Sequence, residues 1–521
     1  MTTRSMSSAP DRNATVPFAI GTVAVFLSLK LSAHLLTNIV TPYEFHRDEL
    51  LYLAMGTHLR ILHMDFPPMI ALLGNAARSF GDTSLFAVRM VPALAGTAVV
   101  LLTVLLTREL GGRRSAQALA ALVVLCNPLF LRTANLFQPV VFDQVWWLLG
   151  FYALVRLQNT DDVRWWLLLG AAGGLGLLTK FSILFFGLAV LIGLLLTDQR
   201  RAFRGPWPWT ALLMALIIGA PSIAGQVNLD FPVVGQMGDL REVQLQRTTL
   251  TDFVMGQVLF GPGFLLALIG GTALFFHPSL RRYRITGWIA VAAFGLLAAM
   301  KGKAYYVGPV HPMLYAAGAV ALQQFTRVRV RQVTQWTIAT LVLAYCVFTL
   351  PFGLPFLPPE PMARYAAATG ITAAVTTNTG EVLRLPQDYG DMLGWREQVE
   401  AVAGVYHAMP ADDRERAVLY GANYGEAGAL DFYGPQFDLP SVVSLAGSFY
   451  FFGPGERSGE VVVFVGVQRE AIEGSCPSLE LAARITHEWT VEENDVPVFV
   501  CREPTMTLRE VWEANSGGHQ G

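Results

Sequence analysis

The chain has 521 residues, of which 53% are hydrophobic and only 15% charged, against roughly 45–50% and about 25% in soluble proteins. With a mean hydropathy of +0.44, this excludes a purely soluble enzyme and points to an integral membrane protein with some soluble mass attached. A net charge of −2 gives no electrostatic reason for a nucleic-acid partner, so the placement of the charges matters more than their sum.

The chain opens on a polar tail, residues 1–16, with Arg4, Arg12 and an Asn13-Ala14-Thr15 sequon. The apolar run 17–40 is too long for a signal-peptide core and lacks a clear cleavage site, so it reads as a retained first span. The sequon falls on the side where no glycosylation is expected and is discounted. A spanning helix needs about 20 mainly apolar residues. By that rule eleven spans fall near 17–40, 84–107, 115–131, 142–157, 165–179, 182–197, 208–227, 254–276, 285–300, 304–322 and 333–352. The connections 108–114, 156–164, 198–204, 277–284 and 327–332 are small and basic, hence cytoplasmic by the positive-inside rule, as is the tail. The other connections, and everything after residue 351, then lie on the opposite face.

Those outer connections (41–83, 132–139, Lys180, 228–251 and 301–306) mix acids, bases, histidines and aromatics. The stretch "YEFHRDELLYLAMGTHLRILHMDFPPM" (43–69) alone holds three histidines, two arginines and the acids Glu44, Asp48, Glu49 and Asp65. Asp48-Glu49 begins an amphipathic segment whose Leu50, Leu51, Leu53, Ala54, Leu59, Ile61 and Leu62 suit a helix on the membrane surface. "DFPP" (65–68) ends it, because the residue before a proline avoids helical geometry. A carboxylate held there can take a proton from a hydroxyl. Acids at a helix start also simply favour the macrodipole. On the same face come Lys180, Arg241, Arg247, Lys301 and Lys303, with Tyr305 and Tyr306. Cations gathered with one acid pair suit a phosphate-bearing ligand, best a lipid phosphate whose tail lies between the spans. Lysines and tyrosines at span ends also serve as interfacial anchors.

Asp143 begins the fourth span and reads as structural or supporting, with Arg132 as a nearby base for it to pair with. "GAAGGLGLLTK" (170–180) lacks the spacing of a phosphate loop; Gly170 and Gly174 read as close-packing positions. His46, His58 and His63 with Asp48 and Asp65 show neither His-Glu-x-x-His nor paired-cysteine spacing, so no metal is assigned to them. No cofactor is required by the sequence, and a divalent metal is left open. From residue 351 a proline-rich, extended linker leads into soluble sequence. There "RAVLYG" (416–421) and "VVVFVGV" (461–467) read as strands and "WREQVEAVAGVYHAM" (395–409) as a helix, together a small α/β domain. Cys126 and Cys346 lie in spans as packing residues. Cys476 and Cys501 share the outer domain, where an oxidising compartment favours a disulfide. The division is thus a tail (1–16), a membrane domain (17–352) containing the first outer loop (41–83), and an outer domain (353–521).

"RDELLYLAMGTHL…DFPPMIALL" resembles the first outer loop of the polyprenol-phosphate-sugar-dependent glycosyltransferases. That family includes bacterial relatives of protein O-mannosyltransferases, the lipid A aminoarabinose transferase and rhizobial lipopolysaccharide galacturonosyltransferases. Its pattern is an Asp-Glu pair after span one and then Asp-His-Pro-Pro, where this chain has Phe66 in place of the histidine. "RMVP" (89–92), "GLGLLTK" (174–180), "KGKAYYVGPVHPML" (301–314), "YGANYGEAGALDFYG" (420–434) and "FFGPG" (451–455) are also similar to family segments. The resemblance implies a GT-C-type polytopic helical enzyme in the inner membrane of a bacterium. It implies inverting transfer of a hexosyl or pentosyl group from a polyprenyl-phosphate donor to an extracytoplasmic hydroxyl on a lipid, glycan or protein. It implies Asp48 as the base, Glu49 as its helper, and Lys180 with 301–306 as the holders of donor phosphate. Arg47, Asp65, Pro67, Pro68, Asp143 and His311 are then supporting residues. A transporter or flippase is the alternative; such proteins usually place ionisable groups mid-span and show internal repeats.

Overall fold

The structure is a computed structural model that describes residues 16–81, 83–160, 162–324, 327–490 and 494–515. The tail with Arg4, Arg12 and the Asn13 sequon lies outside the described residues. In chain order the helices of the membrane domain are α1 (Ile20–Val40), α2 (Arg47–Thr57), α3 (Met69–Gly81), α4 (Leu85–Glu109), α5 (Arg114–Cys126), α6 (Pro128–Thr133), α7 (Pro139–Thr160) and α8 (Trp165–Leu177). They continue with α9 (Ile183–Leu195), α10 (Trp207–Asn228), α11 (Pro232–Val243), α12 (Leu250–Leu259), α13 (Gly263–Phe276), α14 (Arg284–Ala299), α15 (His311–Gln323) and α16 (Val328–Gly353). Each segment read as a span coincides with one or two of these helices. Five of them, α1, α4, α7, α10 and α16, are each long and apolar enough to cross a bilayer, and two bent pairs raise that to as many as seven.

Glycines set how closely the helices approach. A Cβ on Gly170 would lie 2.5 Å from the Ala211 carbonyl oxygen, and one on Gly174 would lie 2.6 Å from Ile218, so α8 and α10 meet through these positions. Between α13 and α15 the contact is reciprocal: a Cβ on Gly270 would stand 2.0 Å from Leu314 O, and one on Gly318 2.1 Å from Leu266 O. Small residues at such faces let dispersion contacts replace the hydrophobic effect that lipid cannot supply. On the far side of α10, Trp209, Leu212, Leu213 and Ile217 are exposed, as side chains facing acyl chains should be. In α1, Lys30, His34, Thr37 and Asn38 are buried, and Lys30 Nζ donates to Phe130 O at 2.7 Å. The sequence reading passed over this polar stripe.

Two expectations change. The helix begun by Asp48-Glu49 ends at Thr57 and is not a surface helix: Leu50, Leu53, Ala54 and Met55 are fully buried. The amphipathic helix is α3, which buries Ile70, Ala71, Gly74 and Ala77. The stretch read as a linker carries α16 to Gly353 and then opens a new helix, Pro359–Thr369. Proline suits that first turn because its missing N–H would have had no partner there.

The outer domain contains β1 (Ala417–Gly421), β2 (Val442–Val443), β3 (Val461–Val465), β4 (Ser478–Ile485) and β5 (Val496–Arg502) in one sheet of order β2-β1-β3-β5-β4. β1 pairs in parallel with β2 and β3, while β5 runs antiparallel to β3 and β4. Valine-rich β3 and β5 are buried along most of their length, as central strands covered on both faces are. A disulfide joins Cys476 to Cys501 across a Cα–Cα distance of 5.9 Å. This domain is docked rather than tethered. One apolar cluster runs from Leu50 and Leu53 of α2 and Ile70 of α3 into Trp395, Val463 and Val498.

Candidate active site

The site is built on the first turn of α2. The His46 ring Nδ1 accepts from Asp48 N at 3.1 Å, while His46 N donates to Glu49 Oε2 at 2.8 Å. This is a capping box in which histidine takes the place usually held by serine or threonine. Because Nδ1 accepts, the neutral ring carries its proton on Nε2. Burial pushes this imidazole down to about 4, against the opposing pull of Asp48 and Glu49.

Glu49 is fully buried and faces inward. Arg89 of α4 donates to it through Nε at 3.0 and 3.2 Å and through Nη2 at 2.6 Å, and Phe137 N adds a bond of 2.8 Å. The structure gives Glu49 to Arg89 rather than to a substrate, so what it holds is the start of α2. Asp48 points the other way, and its side chain is 29% exposed. Gln138 Nε2 donates to Oδ2 at 3.0 Å and the Tyr424 hydroxyl to Oδ1 at 3.1 Å. Both donors are neutral, and each oxygen retains a lone pair for a further hydrogen.

Beside it lie two lysines. Lys180, between α8 and α9, sits 5.4 Å from the Tyr306 ring and 6.0 Å from the Tyr305 ring. Burial pushes its ammonium down, and Asp143 partly restores it. Lys303 Nζ donates to Gln244 Oε1 at 2.5 Å and Asn378 Oδ1 at 2.7 Å. Burial, and then the positive charge of Lys180, push Lys303 down to about 8, while Asp48 is near enough to oppose the shift. Two poorly solvated cations that disfavour one another's charge form a place where an anion is stabilised. The structure thus brings Asp48, Lys180, Lys303, Tyr305 and Tyr306 together.

The remaining candidates are placed differently. Lys301, Arg241 and Arg247 are exposed. Lys301 reaches Gln246 O at 3.4 Å, and no hydrogen bond or ion pair among the described residues joins these three to Asp48 or Lys180. Asp143 accepts from Ser182 Oγ at 2.8 Å and does not pair with Arg132, which is taken by Asp388 of the outer domain. His311 is buried, bonded to Val307 O at 3.3 Å and ringed by Phe260, Phe294 and Tyr315, so it packs the bundle. Pro67 and Pro68 are buried and lead into α3, whose Met69 N donates to Leu178 O at 2.9 Å. Asp65, also buried, accepts from Ser448 at 2.8 Å and Gln236 at 3.1 Å, tying the loop to the outer domain. Arg47 lies 5.1 Å from the Tyr424 ring.

Among the described residues one group has metal-like composition: His46, Asp388 and Asp391 offer donor atoms within 4.8 Å of one another. The donor set fits a metal poorly. His46 Nε2 carries the ring proton for the reason above, and Arg132 and Arg47 already face the two aspartates. Sequence reasoning missed Gln138, Arg89, Tyr424 and the segment 387–396. A signal existed for one of them: "NYGE" (423–426) has capping-box spacing, and it does start a helix, Tyr424–Tyr433.

This architecture, a multi-pass helical domain with its oriented carboxylate just after the first helix and a docked α/β domain, has counterparts among solved membrane proteins. Residues 65–224 match the model of the family described as dolichyl-phosphate-mannose-protein mannosyltransferase. The fold is similar to that of ArnT from Cupriavidus metallidurans bound to undecaprenyl phosphate, with a TM-score of 0.62 and 16% identity over 92% of this chain and 98% of that one. It is also similar to the Archaeoglobus fulgidus oligosaccharyltransferase in its apo form, with a TM-score of 0.52 and 12% identity over 84% of this chain and 65% of that one. Comparison with curated proteins finds no match.

Proposed function

We propose that this chain is an inverting glycosyltransferase of a bacterial inner membrane. It moves a hexosyl or pentosyl group from a polyprenyl-phosphate donor to a hydroxyl of an extracytoplasmic lipid, glycan or protein. The observation that carries this reading is the placement of an oriented, partly exposed Asp48 near the half-buried cations Lys180 and Lys303. Asp48 takes the acceptor hydroxyl proton as that oxygen bonds to the anomeric carbon. The bond from that carbon to the phosphate oxygen breaks, and the electron pair leaves with the polyprenyl phosphate. Lys180 and Lys303 face the growing negative charge, which is where preorganised electrostatics lower a barrier most. The undecaprenyl phosphate bound by the structural neighbour supports a lipid phosphate as the leaving group.

The test uses full-length protein in nanodiscs with radiolabelled polyprenyl-phosphate sugars and envelope extract, comparing wild type with Asp48→Asn. Loss of a general base lowers turnover by about 10²–10⁴-fold, so label transfer should fall by that much in a folded variant. Undiminished transfer in Asp48→Asn would move the base elsewhere. Movement of labelled lipid across a vesicle bilayer without transfer would replace the enzyme with a flippase.

A further inference from the structure

The outer domain grips Asp48 from both sides in sequence. Ahead of it, Glu44 N donates to Met392 O at 2.9 Å and Arg47 N to Asp391 O at 3.1 Å, like a short length of strand pairing. The Glu44 carboxylate in turn accepts from Trp395 N at 3.0 Å and Arg396 N at 3.2 Å. On the other side lies the helix Tyr424–Tyr433, pressed onto α2 by glycines. A Cβ on Gly425 would stand 3.2 Å from Arg47 Cβ, and one on Gly428 would stand 2.9 Å from Leu50 Cβ.

The first residue of that helix is Tyr424, and its position is over-determined. Asn423 caps the helix by accepting from Gly425 N at 2.8 Å and Glu426 N at 3.0 Å. Glu426 Oε2 closes the box on Ala422 N and Asn423 N at 2.8 and 3.1 Å. The Arg47 guanidinium lies over the phenol ring. The hydroxyl at the end of this assembly meets Asp48 Oδ1 at 3.1 Å.

We infer that Tyr424 is a positioning residue for the base, so that the membrane domain alone carries an incomplete site and the outer domain finishes it. This rests on the glycosyltransferase reading above. With the phenol on Oδ1 and Gln138 on Oδ2, the carboxylate plane is fixed, and its remaining lone pairs face the acceptor hydroxyl. Without the phenol one oxygen is unrestrained and the carboxylate rotates about its last bond. Misplacing a reacting group by about 1 Å costs on the order of 10²-fold in rate.

The experiment measures turnover of the full chain in nanodiscs for wild type, Asp48→Asn, Tyr424→Phe and Tyr424→Leu, with a melting curve for each. Tyr424→Phe keeps the ring beneath Arg47 and removes one oxygen. The expected result is a fall in kcat of about 10- to 100-fold with donor KM and melting temperature unchanged, and an equal kcat loss in Tyr424→Leu. Full kcat in Tyr424→Phe with a loss only in Tyr424→Leu would make the ring a packing element and overturn the inference. A rise in KM at unchanged kcat would place Tyr424 on a substrate instead, and would also overturn it. If wild type turns over and Asp48→Asn does not, the glycosyltransferase reading stands whatever Tyr424 does. If Asp48→Asn is fully active, the base lies elsewhere and Tyr424 has no base to position, which overturns the inference while the transferase activity stands.

Discussion

Replacing Arg89 with methionine should be among the most damaging single changes to the fold. Arg89 and Glu49 are both completely shielded from solvent. The guanidinium makes contacts of 2.6, 3.0 and 3.2 Å with the carboxylate and a further one of 2.9 Å with Glu44 O. Removing it leaves a buried carboxylate with, among the described residues, His46 N and Phe137 N as donors, and breaking such a pair costs about 3–5 kcal/mol. Removing both charges costs far less, because an ion pair in a dry site is nearly offset by its own desolvation. The double variant Glu49→Gln/Arg89→Met should therefore recover most of the loss, with a coupling of about 2–3 kcal/mol. Equilibrium unfolding in mixed micelles of dodecylmaltoside and dodecyl sulfate, followed by tryptophan fluorescence, measures all corners of the cycle. An Arg89→Met protein within about 1 kcal/mol of wild type would refute the reasoning, since exposed pairs are worth no more than that.

Acidification should act through His46. Its folded value of about 4 lies below the unfolded value of roughly 6.5, so the unfolded chain binds the extra proton. Stability is then fully present above about pH 6.5 and is lost as pH falls toward 4, by about 3 kcal/mol. His46→Asn keeps a capping acceptor without titrating, so melting curves of the two proteins should converge on acidification; parallel curves would count against the assignment. Gly428→Ala should loosen the docked domain by about 1–3 kcal/mol, because the added carbon meets the Leu50 backbone at 3.2 Å. Hydrogen exchange in α2 should quicken, and unchanged exchange would show that the interface yields without cost.

What the sequence disclosed was local. Each apolar run long enough to be noticed is helical, and the strands around 417–421 and 461–465 follow from alternating or continuous valine-rich patterns. The carboxylate at Asp48 and the lysine at Lys180 were legible because charge beside lipid is costly and therefore conspicuous. What stayed hidden was long-range. α2 read as a surface helix because its leucines had no visible cover; the cover is a helix almost four hundred residues downstream, which no periodicity reveals. Asp143 looked like a partner for Arg132 because they are near in sequence, yet Ser182 and Asp388 take them separately. Glu49 read as a helper to Asp48, but consecutive positions on a helix face different ways, and only the fold shows which one Arg89 claims.

The 376-residue separation between Asp48 and Tyr424 has a meaning in time as well as in space. At a synthesis rate of about 5–20 residues per second, roughly 20–75 s pass between the emergence of the carboxylate and that of the phenol. Throughout that interval Asp48 has Gln138 as a partner for one oxygen and nothing yet from the helix that begins at Tyr424. On the reading proposed above, a chain cut short in that interval would hold its carboxylate by one oxygen and work about 10- to 100-fold slower.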